Sequence, residues 1–214
     1  NPVDQASTTL TLDQNVPAGY SVSLDQDPVN ISAETALSFT FAGAEVGATY
    51  SYTISSDGGS SNVTGSGTIA TATDQITGIN LSGLTDGTQT LTLTLIVTLT
   101  DAAGNTGLEV QAESILDATH PAATLTGPDT AQSDPFTVDL TFDEAVTGLA
   151  LTSLVIDNGT ASDLTGSDAS YSVTVTPDHD GPLTIQLSAD AAQDLAGNGN
   201  EASDILEATA ELTG

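Results

Sequence analysis

The sequence predicts an all-β protein built of two tandem antiparallel β-sandwich domains. Three observations carry that prediction. Short segments alternate apolar and polar residues with a period of two, Gly-, Asp- and Pro-rich stretches separate them, and one Leu-Asp-x-x-x-Pro-Ala segment is written twice, at 12–18 and 116–122. Period-two alternation is the signature of strands buried on one face, and short strands between regular turn signals suit a sandwich.

In chain order, ALSFTFAG (36–43) places Leu37, Phe39 and Phe41 on one face, and TYSYTI (49–54) does the same with Tyr50 and Tyr52. In QTLTLTLIVTLT (89–100) the apolar face is Leu91, Leu93, Leu95, Val97 and Leu99. Threonines fill the other face except at Ile96. FTVDLTF (136–142), SYSVTV (170–175) and PLTIQL (182–187) repeat the pattern in the second half. SSDGGSSN (55–62), LTDGTQ (84–89) and PDHDGP (177–182) read as connecting turns. The one helical expectation is a turn or two over SADAAQDL (188–195), with Ser188 as N-cap. DQDPVNISAE (25–34) faintly echoes a calcium loop, but it lacks the sixth-place Gly and the twelfth-place Glu, so it reads as a turn.

The chain has 214 residues, 29 of them acidic, no Lys or Arg and two His, for a formal charge of −29. Such a surface repels phosphates and anionic lipid headgroups, so neither nucleic acid nor membrane insertion is expected, and the expected state is a monomer. With no cationic side chain to offset the carboxylates, either salt or bound metal must do so. The hydrophobic share of 38% is patterned, which argues against disorder. Without Cys there are no disulfides and no thiolate metal sites. No apolar run approaches the ~18–20 residues of a membrane span. Asn1 opens no signal-peptide pattern, and the chain reads as a piece of something longer.

The repeated segment divides the chain. A degraded third copy, ILEATAELTG (205–214), carries Glu207 at the acidic position. Each later copy follows a turn of the form Asp-x-Ala-Gly-Asn, at 101–105 and 194–198. One domain is therefore expected over 14–117 and a second over 118–207. Residues 1–13 would end a preceding repeat, or form an extra edge strand plus linker, and 208–214 would begin the next linker. The linker proline restricts its own φ and keeps the preceding residue extended, so the joint is stiffer than a Gly/Ser tether.

Taken with LDQNVPAGYSVSLDQDPVN (12–30), LTDGTQTLTLTLIVTLTDAAGN (84–105), LTFDEAVTGL (140–149) and DLAGNGNEAS (194–203), these features resemble the tandem bacterial immunoglobulin-like (Ig-like) repeats of very large, secreted adhesins of the repeats-in-toxin (RTX) type. The resemblance implies two Ig-like sandwiches that extend a bacterial cell-surface protein, outside the cell and without enzymatic activity. Their partners would be neighbouring repeats of the same chain, with a surface ligand held by other domains. It also implies Ca²⁺ between domains. The Gly-Gly-x-Gly-x-Asp nonapeptide of RTX proteins is absent, so any calcium would sit on Ig-like loops. Two other roles stay open: a module that itself binds a glycan or protein, and an accessory Ig-like module of a secreted hydrolase.

In such a sandwich the BC and FG loops lie at the pole where the chain arrives. That groups Asp13, Glu45 and Asp101 at the first domain, and Asp117, Glu144 and Asp194 at the second, with Asp143 and Asn198 as further candidates. The preceding domain could add Asp86, and Asp25 or Asp27. Ca²⁺ takes six to eight oxygen ligands, which acids, Asn and turn carbonyls supply, whereas zinc wants Cys or His. Asp and Asn are also ordinary turn residues, so each turn alone has a purely structural reading. His120 and His179 read as solvated loop residues, and no Gly-x-Ser-x-Gly elbow exists. Paired carboxylates suggest glycoside hydrolysis only where a cleft and aromatic platforms accompany them, and the chain has no Trp and eight aromatics. The Asn-x-Ser/Thr patterns at Asn30, Asn62, Asn80 and Asn158 read as chance in so Ser/Thr-rich a chain.

Overall fold

The structure, a computed structural model, describes residues 12–58, 61–84, 91–128, 130 and 132–212. The chain divides into two compact units, 1–116 and 117–214. Each is an Ig-like antiparallel sandwich. No helix among the described residues is long and apolar enough to cross a membrane.

In the first unit, β1 (Ser21–Leu24), β2 (Leu37–Ala42) and β5 (Gln75–Ile79) form one sheet in the order β1-β2-β5. The strands β3 (Thr49–Ser56), β4 (Asn62–Thr68), β6 (Leu91–Thr100) and β7 (Val110–Leu116) form the other, in the order β4-β3-β6-β7. The alternating face of β6 is buried from Leu91 to Leu99, and its threonines are partly exposed. Ile96 follows strand parity rather than its own hydrophobicity: it stands among the threonines, opposite Thr53. Phe39 and Phe41 are fully buried and pack edge-on against each other at 5.4 Å. Phe39 meets the ring of Tyr52 at 5.4 Å and Phe41 that of Tyr50 at 5.7 Å. The tyrosines sit opposite glycines of β4, in the pairs Tyr50–Gly67 and Tyr52–Gly65. A Cβ on Gly65 would stand 2.5 Å from the Tyr52 ring, and one on Gly67 2.6 Å from the Tyr50 hydroxyl, so the missing side chains are the space the rings occupy. The segment 25–34, expected as a turn, ends in a single helical turn, α1 (Ile31–Glu34), capped by Asn30, whose Oδ1 accepts from the Ala33 N–H at 3.1 Å.

In the second unit, β8 (Ala123–Thr126), β9 (Phe136–Phe142), β11 (Gly159–Ser167) and β12 (Ser170–Pro177) form a sheet in the order β11-β12-β9-β8. Facing it are β10 (Leu154–Asp157), β13 (Gly181–Leu187) and β14 (Leu206–Ala210), in the order β10-β13-β14. Phe136, Val138, Leu140 and Phe142 of β9 pack in one buried cluster with Leu183, Ile185 and Leu187 of β13.

Two expectations are corrected here. The segment 188–195 is not helical: it forms turns, with Asp190 at φ 55°. Asn200 is the reason. Its Oδ1 accepts from the N–H groups of Ala191 and Ala192 at 2.8 and 2.7 Å, and its Nδ2 donates to the Ser188 carbonyl at 2.9 Å. The backbone groups a helix would use are thereby committed elsewhere. The expected boundary after Glu207 falls inside β14, which continues to Ala210. Leu116 bridges Val29 in parallel and Ala210 bridges Gln132 in the same way. Ala210 thus takes the place of Leu116, and the acid that follows in register is Glu211.

Candidate metal centre

The two Asp-x-Ala-Gly-Asn turns are built alike. The first opens directly after β6, and the second lies further along the loop that follows β13, beyond residues 188–193. The Asp101 N–H donates to the Asn105 carbonyl at 3.0 Å, and the Asp194 N–H to that of Asn198 at 3.1 Å. The Asn N–H returns to the Asp Oδ1 at 2.8 Å in both turns, and the Asn Nδ2 donates to the Asp Oδ2, again at 2.8 Å in both. Gly104 and Gly197 sit at φ 93° and 87°, a left-handed conformation that favours glycine. Each aspartate therefore holds its own turn together, by binding the N–H and amide groups that the turn presents. Its charge needs no cation to explain its presence.

What separates the two poles is a third acid. At the second unit the carboxylates of Asp117, Glu144 and Asp194 each place an oxygen within 4.8 Å of the others. This is the one such group of three among the described residues. Asp117 and Asp194 are only 6% and 5% exposed, and Glu144 is half-buried. Thr119, which sequence reasoning does not single out, donates its Oγ1 to Asp117 Oδ1 at 2.9 Å and fixes that carboxylate. The signal was the Asp-x-Thr spacing, an ordinary side-chain turn. Glu144 follows the last inward residue of β9, Phe142, by two positions, so strand parity carries its side chain inward. Asp143 points outward and closes the strand end onto the linker, accepting from the Ala122 N–H at 2.8 Å. Asn198, 4% exposed, faces the cluster as a hydrogen-bond donor through Nδ2.

The electrostatics are uncompensated. Glu144 Oε1 is buried without a hydrogen-bond partner. Burial, and then the charges of Asp117, Asp194 and Asp143, push the Glu144 carboxyl up to about 7. Burial also raises Asp117, against the hydrogen bonds from Thr119 and with the charge of Asp194. Because the chain has no Lys or Arg, neither cation is available to this pocket.

The other candidates are not assembled this way. At the first unit Asp101 is held below its ordinary value by the Asn105 side chain and by its turn N–H groups, against a smaller effect of burial. Asp13 is exposed and accepts from the Asn15 N–H at 3.0 Å, and Glu45 is exposed beyond the turn at Gly43. Asp25 receives Ser38 Oγ, Thr40 Oγ1 and Gln75 Nε2 at 2.6 to 2.8 Å, and Asp27 receives Ser114 Oγ at 2.9 Å. Both belong to the hydrogen-bonding of the first sandwich. Asp86 lies outside the described residues. Of the histidines, His120 is exposed with its Nδ1 2.6 Å from the Gly199 oxygen, and the His179 N–H donates to Asn158 Oδ1 at 3.0 Å.

The donor set at Asp117, Glu144 and Asp194 is all oxygen, anionic and partly dehydrated. That fits a hard divalent cation of the Ca²⁺ type and does not fit zinc, which takes nitrogen and sulfur ligands.

Residues 117–210 match the bacterial Ig-like domain family. No curated protein matches the chain in sequence. Among solved structures, the chain is similar to a 1.5-MDa bacterial ice-binding adhesin, with 16% identity over 94% of this chain and 67% of that one and a TM-score of 0.43. It is also similar to invasin, a bacterial integrin-binding protein, with 14% identity over 92% of this chain and 40% of that one and a TM-score of 0.33. The D00–D0 domain of intimin is 14% identical, with 89% of this chain and 99% of that one covered and a TM-score of 0.39.

Proposed function

We propose that the two sandwiches are non-enzymatic extender repeats of a bacterial cell-surface adhesin of the RTX type, exported from the cell, and that Ca²⁺ bound by Asp117, Glu144 and Asp194 stiffens the joint at which the chain passes into the second repeat. The observation that carries this reading is the buried, unpartnered Glu144 Oε1 beside two further carboxylates in a chain without Lys or Arg. Three carboxylates forced together without a counter-ion destabilise the fold. A dication removes that repulsion and ties the first residue of the repeat, Asp117, to the end of β9 and to the turn after β13. Water completes a six- to eight-fold shell. Magnesium suits the pocket less, because it demands near-ideal octahedral geometry and gives up its waters reluctantly.

The aromatic inventory supports a spacer over a glycan-binding module. All eight rings are buried or half-buried, with Tyr171 packed on Phe142 at 6.1 Å and Tyr20 bonded through its hydroxyl to the Leu108 carbonyl. None is left exposed as a platform for a ligand.

Calorimetric titration of the chelated chain with Ca²⁺, paired with small-angle scattering, tests the proposal. Saturable binding is expected, lost in Glu144→Gln, together with a longer maximum dimension in Ca²⁺ than in chelator. Heats indistinguishable from buffer would remove the metal site, and an unchanged dimension despite binding would remove the stiffening role.

A further inference from the structure

We infer that Asn105 and Asn198 are positioning residues: through one side-chain amide each, they latch the linker carbonyl of the Leu-Asp-x-x-x-Pro segment onto the sandwich pole, and they do so without metal. The observation is a duplicated geometry. Asn105 Nδ2 donates to the backbone oxygen of Asp13 at 3.2 Å, and Asn198 Nδ2 donates to that of Asp117 at 2.9 Å. Residues 13 and 117 occupy the same place in the repeated segment, and residues 105 and 198 the same place in the repeated turn. The same amide also donates to its turn aspartate, so both of its protons are committed, one inward to the turn and one outward to the linker.

This geometry requires an amide. An aspartate at either position would set a carboxylate against a carbonyl oxygen and a second carboxylate, with no proton to share. The turn aspartate, for its part, orients the amide. The pair therefore accounts for the turn aspartate in both units, while the linker contributes only a backbone oxygen to the latch, and only the second unit gathers a third carboxylate. The latches differ in strength. Asn198 is 4% exposed and Asn105 is more exposed, and a hydrogen bond shielded from water contributes more. In the second unit the linker has further anchors downstream, since the Glu201 N–H donates to the Pro121 carbonyl at 3.0 Å and His120 Nδ1 lies beside Gly199. The latch accordingly governs the residues just after Asp117.

The test is nuclear magnetic resonance relaxation on the full 214-residue chain, in chelator so that metal cannot contribute. Backbone order parameters of Ala118 and Thr119 should stand at about 0.85 in the native chain and fall below about 0.6 in Asn198→Ala. Those of Gln14 and Asn15 should fall in Asn105→Ala and stay unchanged in Asn198→Ala. A residue that only shapes its own turn would loosen 195–197 and leave 118–119 rigid, and that result would overturn the inference. The native chain supplies an independent readout if a variant fails to fold. The Asn198 side-chain amide protons should exchange with solvent at least about tenfold more slowly than those of exposed Asn62, as expected for shielded donors. Equal rates would also overturn it.

Discussion

Glu144 and Asp117 bring carboxylate oxygens within 4.8 Å of each other at the start of the second sandwich, with Asp194 as a third party and one oxygen of Glu144 buried without a partner. This arrangement costs stability when empty and supplies affinity when a cation arrives, so one substitution should act in opposite directions in the two conditions. Glu144→Gln should raise the melting temperature in chelator, because it removes a charge while keeping the shape. In Ca²⁺ at a hundredfold over the dissociation constant, the native chain should gain about 2.7 kcal/mol, and the variant should lose that gain. Thermal melts of both chains in both buffers check it. A variant that melts lower in chelator would show that the native carboxylate is stabilising without metal.

The same residue sets a pH dependence. With the folded Glu144 carboxyl at about 7 and its ordinary value at 4.5, the folded protein binds the extra proton between those limits. Stability from that proton is fully present below about pH 4.5 and is lost as pH rises through about 7. The raised Asp117 works in the same direction. In chelator, the native chain should therefore lose stability relative to Glu144→Gln between about pH 5 and pH 8, since the difference cancels the titrations the two chains share. In Ca²⁺ the ion competes with the proton, and the stabilisation by metal should grow over the same interval. Denaturant midpoints across the pH range measure both trends, and a flat difference in chelator would place Glu144 in ordinary solvent.

Strand positions were legible in the sequence because burial on one face writes period two directly. Leu91 to Leu99 and Phe136 to Phe142 needed no tertiary information, and even Ile96 obeyed parity over hydrophobicity. The acids were half legible. Glu45 and Glu144 look equivalent as glutamates after an inner strand. Glu144 comes two residues after Phe142 and keeps the inward parity, whereas Glu45 comes four after Phe41, past Gly43 at φ 68°. What a turn aspartate binds could not be read, because the Asp101 and Asp194 partners lie on their own turns and resemble a ligand pattern until the N–H directions are known. The fate of 188–195 was hidden for a similar reason: Ala-rich composition favours a helix, and the residue that prevents it, Asn200, lies beyond the segment.

The tyrosine pair of β3 depends on absent side chains in β4. Gly67→Ala would place a methyl against Tyr50, which is 9% exposed and backed by Phe41, leaving the ring little room to retreat. Tyr52 is more exposed and can move, so Gly65→Ala should be the milder change. Overpacking of this kind costs ~1–3 kcal/mol. The first unit should melt lower in Gly67→Ala than in Gly65→Ala, with a change in the tyrosine near-ultraviolet dichroism. A double-mutant cycle with Tyr50→Ala should recover much of the loss, and strict additivity would locate the strain elsewhere.

Asn200 offers the sharpest separation between shape and charge. It is 1% exposed and binds four backbone groups: the N–H groups of Ala191 and Ala192 and the carbonyls of Ser188 and Glu201. Asn200→Ala leaves buried donors and acceptors unpaired, each costing roughly 1–3 kcal/mol, so the second unit should be destabilised by several kcal/mol. Asn200→Asp retains the acceptor for the two alanine N–H groups but turns the donating end into an anion facing two carbonyl oxygens. Its loss should therefore shrink at low pH, where the added carboxyl is protonated and can donate again, while the alanine variant recovers nothing. Hydrogen exchange at Ala191 and Ala192 reports the loop directly: fast exchange is expected in Asn200→Ala, with protection regained on acidification only in Asn200→Asp. Protected amides in the alanine variant would mean that the loop holds its course without Asn200, and the absence of a helix over 188–195 would need another cause.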